Sequence, residues 1–261
     1  MIDYKKEKVS SVAEYQEIVN SIINHWGINR YTVNPWFRGQ GDTNWDLIPK
    51  IYRSQNKKFY FERELIRDFI LYSPQYISHN SNNIFEWLFL MQHHGLATRL
   101  LDWTESSLIA LYFAVDNYKH QNDSSVWILN PWSLNQDTIN ENSIPMYTND
   151  SCKNYIFNLE NFERAVEVEF PIAIRPKRNS FRIVAQKGMF TIHGKVDLPI
   201  NLLPPNLFKN LQICKIEINK NSKLKIKKEL YYSGITDSVL FPEIDGISRD
   251  LTFRYSNDFM K

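Results

Sequence analysis

The chain has 261 residues, 43% of them apolar and 14% aromatic, enough to bury a sizeable core as one large domain or two small ones. A formal net charge of only +2 excludes the global basic field of an obligate nucleic-acid binder, so any such contact has to be local. Cys152 and Cys214 stand far apart with no C-x-x-C pair, which argues against a zinc site or a disulfide framework. The start, Met1 to Lys8, is charged, and the longest apolar run, Leu108 to Val115, is too short to span a bilayer. These features predict a cytoplasmic protein with no membrane partner and no metal site.

From Ser11, which has Glu14 at capping-box spacing, apolar residues recur at helical period to Trp26, and Gly27 closes the segment. After Pro35, Trp36 to Gln40 reads as a short buried strand that runs into a turn at Gly39 and Gly41. Trp45 to Ile48, halted by Pro49, resembles a second strand. Helical spacing returns from Phe61 to Phe69, and Ile84 to Met91 is apolar on almost every side, as in a buried helix. That helix ends in Gln92, His93, His94 and Gly95. Leu96 to Trp103 reads as a core strand, and Thr104 is placed to cap a helix over Ser107 to Asn117. Val126 to Leu129 is a strand before Pro131.

Residues 132–162 are rich in Asn and Ser with little periodicity and read as a surface excursion, the nearest feature to a domain boundary. Strand-like runs follow at Val166 to Phe170, Phe181 to Gln186, Met189 to Ile192 and Leu211 to Ile218. A helix over Leu224 to Tyr232 ends at Gly234, and another begins near Pro242. The expectation is a single α+β domain over residues 1–261, with a helix in residues 1–30. Six lysines, Lys215, Lys220, Lys223, Lys225, Lys227 and Lys228, crowd one segment, either as a solvated face or as a phosphate-binding patch.

Signatures of known chemistry are few. Gly39, Gln40 and Gly41 lack the third glycine of a dinucleotide fingerprint, and no phosphate loop, H-E-x-x-H or G-x-S-x-G occurs. Instead, Arg38, Gln92, His93, Arg99, Asp102 and Gln186 interrupt runs that ought to be buried. Each costs at least ~1 to 3 kcal/mol if buried without a partner, so they satisfy one another or face a cavity. An Arg99–Asp102 ion pair that fixes the strand is the structural reading of those two. For Arg38, flanking glycine lets backbone approach a ligand and frees the guanidinium to fork onto phosphate. His93, at a helix end, suits either a core histidine or a site residue.

Four segments in order resemble the FRG domain family: Trp36 to Gln40 with Phe37-Arg38-Gly39, Met91 to Ala114, Arg182 to Phe190 (RIVAQKGMF) and Leu240 to Gly246 (LFPEIDG). Their order also looks like that of NAD-dependent ADP-ribosyltransferases. That second resemblance implies a mixed, mostly antiparallel split sheet flanked by helices. It also implies NAD as substrate, held by Arg38, Gly39, Gln40, Asp102 and Arg99. Thr104, before Ala110 to Ala114, matches the family's hydroxyl motif; His93 and Gln186 fall where the ribose is held. Gln186 stands where those enzymes carry a glutamate, and Glu167 and Glu169 are the nearby carboxylates. The resemblance implies a toxin or phage-defence effector that ADP-ribosylates a macromolecule and is restrained by an antitoxin-like partner. The lysine cluster inclines the acceptor toward RNA or DNA over protein. A nucleotide- or partner-binding module without catalysis is the alternative, and a nuclease using His93 and Asp102 is a third.

Overall fold

The computed structural model describes residues 8–28, 33–53, 61–77, 81–157, 166–178 and 180–260. Among these residues six strands form one sheet: β1 (Trp36–Gln40), β2 (Leu100–Thr104), β3 (Ser124–Leu129), β4 (Ile172–Ile174), β5 (Gly188–Ile192) and β6 (Ile213–Ile218). Their spatial order is β4-β5-β2-β1-β3-β6. The expected mixed sheet is antiparallel in every pairing of named strands; the parallel contacts are the isolated bridges Val9–Ile218 and Met146–Arg175.

The sheet is barely joined at its centre. β1 matches β3 along all five of its residues, yet it meets β2 at the single pair Phe37–Thr104. Where further ladder bonds would follow, the Arg38 guanidinium intervenes, Nη1 donating to the Asp102 main-chain oxygen at 2.6 Å.

Helices cover the two halves separately. Over β1, β3 and β6 lie α1 (Val12–His25), α4 (Ser107–Val115) and α8 (Lys223–Tyr232), around Tyr15, Val19, Leu111, Val126 and Ile226. Helix α1 starts as its sequence predicts, the Ser11 hydroxyl accepting from the Glu14 N–H. Over β2, β4 and β5 lie α2 (Glu62–Tyr72) and α3 (Ile84–His93), packed on Leu100, Phe190 and Ile192. Trp36, Leu101, Trp103 and Met189 enter a third cluster with Leu47, Ile200 and Phe208.

Several expectations are corrected. Trp45 to Ile48 forms no strand but an irregular segment, held by the Asn201 Oδ1 that accepts from the Leu47 N–H. Ser106, not Thr104, caps α4. The excursion at 132–162 contains α5 (Pro131–Ile139) and α6 (Asp150–Lys153), and it plants the buried Cys152 and Tyr155 in the core; residues 158–162 lie outside the described ones. Val166 to Phe170 forms no named strand. Phe181 to Gln186 is the short helix α7 (Phe181–Ala185) with Gln186 as its C-cap. Two short helices, α9 (Asp237–Leu240) and α11 (Asn257–Met260), flank α10 (Ile244–Arg254). No helix among the described residues is long and apolar enough to cross a membrane.

Four of the six lysines of the lysine-rich segment are engaged by the protein itself. Lys223 is fully buried, and its Nζ donates to the Gly41 oxygen at 2.9 Å. Lys227 pairs with Asp116 at 2.9 Å and sits over the Tyr112, Tyr118 and Phe253 rings. Lys215 and Lys225 lie within ion-pair distance of Glu217 and Glu229.

Candidate functional site

A groove follows the parting of β1 and β2. It has two lobes of about 320 and 270 Å³, and Gln92, Asp102, Arg182 and Gln186 line both. The larger lobe is walled by β1, by Trp45 and by Phe113 of α4; the smaller is walled by α3 and lined by Phe89, Phe190, His93 and His94.

Arg38 reaches across the groove from β1 to β2. Besides its bond to the Asp102 main chain, Nη1 lies 3.6 Å from the Asp102 carboxylate. The Arg38 side chain is 16% exposed, and its Nε is buried without a partner among the described residues. Burial lowers its pKa to about 10, Asp102 opposes the shift and Arg53 adds to it, so the group stays cationic at neutral pH. Arg53, which lines the same lobe, is lowered chiefly by burial as well.

Asp102 stands at the centre with its side chain 53% exposed. One carboxylate oxygen accepts from Gln92 Nε2 at 2.9 Å, and Gln92 Oε1 accepts from the Thr98 hydroxyl at 2.6 Å. A chain of bonds therefore orients the carboxylate while leaving it open to the groove.

Arg99 is not part of the site. It is fully buried, with Nε on Glu62 Oε2 at 2.5 Å, Nη1 on the His193 oxygen at 2.7 Å and Nη2 on the Tyr155 oxygen at 2.5 Å. Both sequence readings of Arg99, as a cofactor ligand and as the partner of Asp102, are corrected. Residues three apart on an extended chain point to opposite faces, so Arg99 and Asp102 cannot meet.

Gly39 and Gln40 border the larger lobe for reasons other than those expected. A Cβ on Gly39 would come 1.9 Å from the Ala110 oxygen, so the missing side chain admits α4 rather than a ligand. The Gln40 amide donates to the Asp46 oxygen and accepts from the Trp127 indole. Thr104 is 4% exposed, its hydroxyl donating to the Gln186 oxygen at 2.7 Å and accepting from the Ser106 N–H. It ties β2 to α7, and the fixed α7 presents Arg182 and Gln186. Gln186 Nε2 donates to the Leu240 oxygen. His93, half-buried, lies 3.5 Å from the Glu243 carboxylate. Glu167 and Glu169 are exposed and line neither lobe.

Sequence reasoning missed Arg53, Arg182 and Glu243 as site residues. Arg182 and Glu243 fall inside the RIVAQKGMF and LFPEIDG segments, so a charged residue at each was the available signal. Among the described residues no group of three or more His, Cys, Asp or Glu is placed to hold a metal ion.

Residues 33–123 match the family model of the FRG domain, which supports the resemblance to that family over this third of the chain. No curated protein and no solved structure is a significant match. The matched stretch holds β1, β2, α3 and α4, and with them Arg38, Gln92, His93, Asp102 and Thr104; the segments that carry Arg182 and Glu243 lie beyond it.

Proposed function

We propose that the groove binds NAD and that the protein transfers ADP-ribose from it to a macromolecular acceptor, as a toxin or defence effector that a partner protein restrains. The observation that carries this reading is the two-lobed shape, with two arginines at and beside the junction. NAD is two nucleosides joined by a pyrophosphate. Each lobe offers aromatic walls for a ring, and Arg182 lines both lobes, with Arg38 bonded to Asp102 at the point where they meet. Arg38 Nε has no partner among the described residues, so the guanidinium keeps donor capacity that the protein does not use.

The chemistry follows from that placement. The ribosyl C1′–N bond to nicotinamide breaks, nicotinamide leaves with the electron pair, and positive charge spreads over the sugar. The open Asp102 carboxylate is positioned to stabilise that charge, the task for which Gln186 offers only an amide. Gln92 keeps the carboxylate oriented. With Lys223 and Lys227 buried and Lys215 and Lys225 at ion-pair distance from glutamates, the lysine-rich segment offers chiefly Lys220 and Lys228 to a nucleic-acid acceptor.

The test is incubation with NAD labelled in its adenylate half and mixed cellular protein and nucleic acid. Wild type transfers label, and Arg38→Ala is slower by roughly ten- to a hundred-fold, the worth of one charge-assisted hydrogen bond or two. No transfer and no nicotinamide release by the wild type contradicts the reading. A binding module without catalysis would show NAD raising the melting temperature with neither product formed.

A further inference from the structure

At the edge of the smaller lobe, which His93 lines, stands a pairing that NAD binding does not explain. Glu243 stands at the N-cap of α10, yet its side chain makes no capping bond and lies 3.5 Å from His93 Nε2. The loop that carries it is pinned on several sides: the Leu240 oxygen accepts from Gln186, and the Phe241 ring lies under both Arg182 and Arg249, at 4.9 and 4.5 Å. The Glu243 N–H donates to the Phe241 oxygen. His93 comes from the last turn of α3 and lines the smaller lobe.

Resting on the NAD reading, we propose that His93 is the general base for the acceptor, that Glu243 positions it, and that a hydroxyl nucleophile enters the smaller lobe beside the bound NAD. With the Nε2 proton directed at Glu243, the Nδ1 lone pair is left for the acceptor. The acceptor O–H loses its proton to Nδ1 as the oxygen bonds to ribosyl C1′. The C1′–N bond breaks and nicotinamide departs neutral with the electron pair. The imidazolium is stabilised by Glu243. Atoms and charge balance without a further reactant.

The groups facing His93 suit a neutral nucleophile. Arg182 of α7, His94 of α3 and Glu243 all act on it, and Glu86, Asp102 and Lys177 line the same lobe. Burial, then Arg182 and His94, lower the His93 pKa, and Glu243 partly offsets them. The ring is therefore neutral at pH 7, and activity falls as acid protonates it. Removing the Glu243 charge lowers the pKa further and moves that acid limb to lower pH.

The probe is NAD with water and with methanol as nucleophile, read as nicotinamide release and methyl ADP-ribose. His93→Ala loses roughly a hundred-fold or more in kcat for both products and loses the acid limb. Glu243→Gln loses about ten-fold in kcat at unchanged KM for NAD, shifts the acid limb down in pH, and Glu243→Asp restores part of the rate. A Glu243→Gln enzyme with wild-type kcat and pH profile overturns this assignment while leaving the NAD reading intact. A wild type that never releases nicotinamide overturns both.

Discussion

Replacing Glu62 by Ala should lower the unfolding free energy by about 3 to 5 kcal/mol, because it removes the buried carboxylate that Glu62 sets against the fully buried Arg99 guanidinium. Arg99 joins four parts of the chain: α2 through Glu62, the start of β2 through its own backbone, the end of β5 through the His193 oxygen, and the segment after α6 through the Tyr155 oxygen. For a domain of this size the loss corresponds to a melting temperature lower by roughly 6 to 20 °C. The double variant Glu62→Leu with Arg99→Met should recover part of that and no more. It removes the buried charges, but it leaves the His193 and Tyr155 carbonyls without their donors. Urea unfolding measures both; a Glu62→Ala loss under about 1 kcal/mol would mean that the pair is not the anchor of this half of the sheet.

The second large effect is at Gly39. An Ala there puts Cβ 1.9 Å from the Ala110 oxygen and 2.6 Å from the Ala114 nitrogen, both backbone atoms of α4 that no rotamer change can move. The helix must lift from β1, at a cost of about 3 kcal/mol or more. Arg38 is the next residue, so ligand binding should fail along with stability. Gly41→Ala is the control: its nearest neighbour is a Trp45 ring atom at 4.0 Å, and its effect should stay within about 0.5 kcal/mol. Equal melting temperatures for the two variants would refute the close packing of α4 on β1.

These two sites show what the sequence reveals and what it hides. Local period identified α1, α3, α4 and α8 and strands β1, β3, β5 and β6, because each has an apolar face that its own residues spell out. It failed at α7, where Phe181 and Val184 are 87% and 51% exposed, so apolar residues there do not report burial. Helix α5 was legible in principle: Asn130 caps it and Pro131 occupies its first turn, a start signal that the Asn-rich composition obscured. The Arg99 partner lies 37 residues upstream and no local rule finds it, although strand alternation alone rules out Asp102.

In the site, Arg38, His93, Asp102 and Gln186 do gather around one groove, as their cost of burial in isolation required. Thr104 and Gln40 gather there too, but they spend their hydrogen bonds on the scaffold. Which polar residues face solvent and which face protein depends on where β1 and β2 part, and a sheet's register is set by distant pairings that a single strand does not encode.

NAD titrated into wild type and Arg38→Ala, with bound ligand read by calorimetry, tests the central claim most directly. Wild type should bind one NAD per chain, and the variant should bind about ten-fold or more weakly while remaining folded. Equal affinities for the two, or no binding to the wild type, would contradict the assignment of this guanidinium to the pyrophosphate.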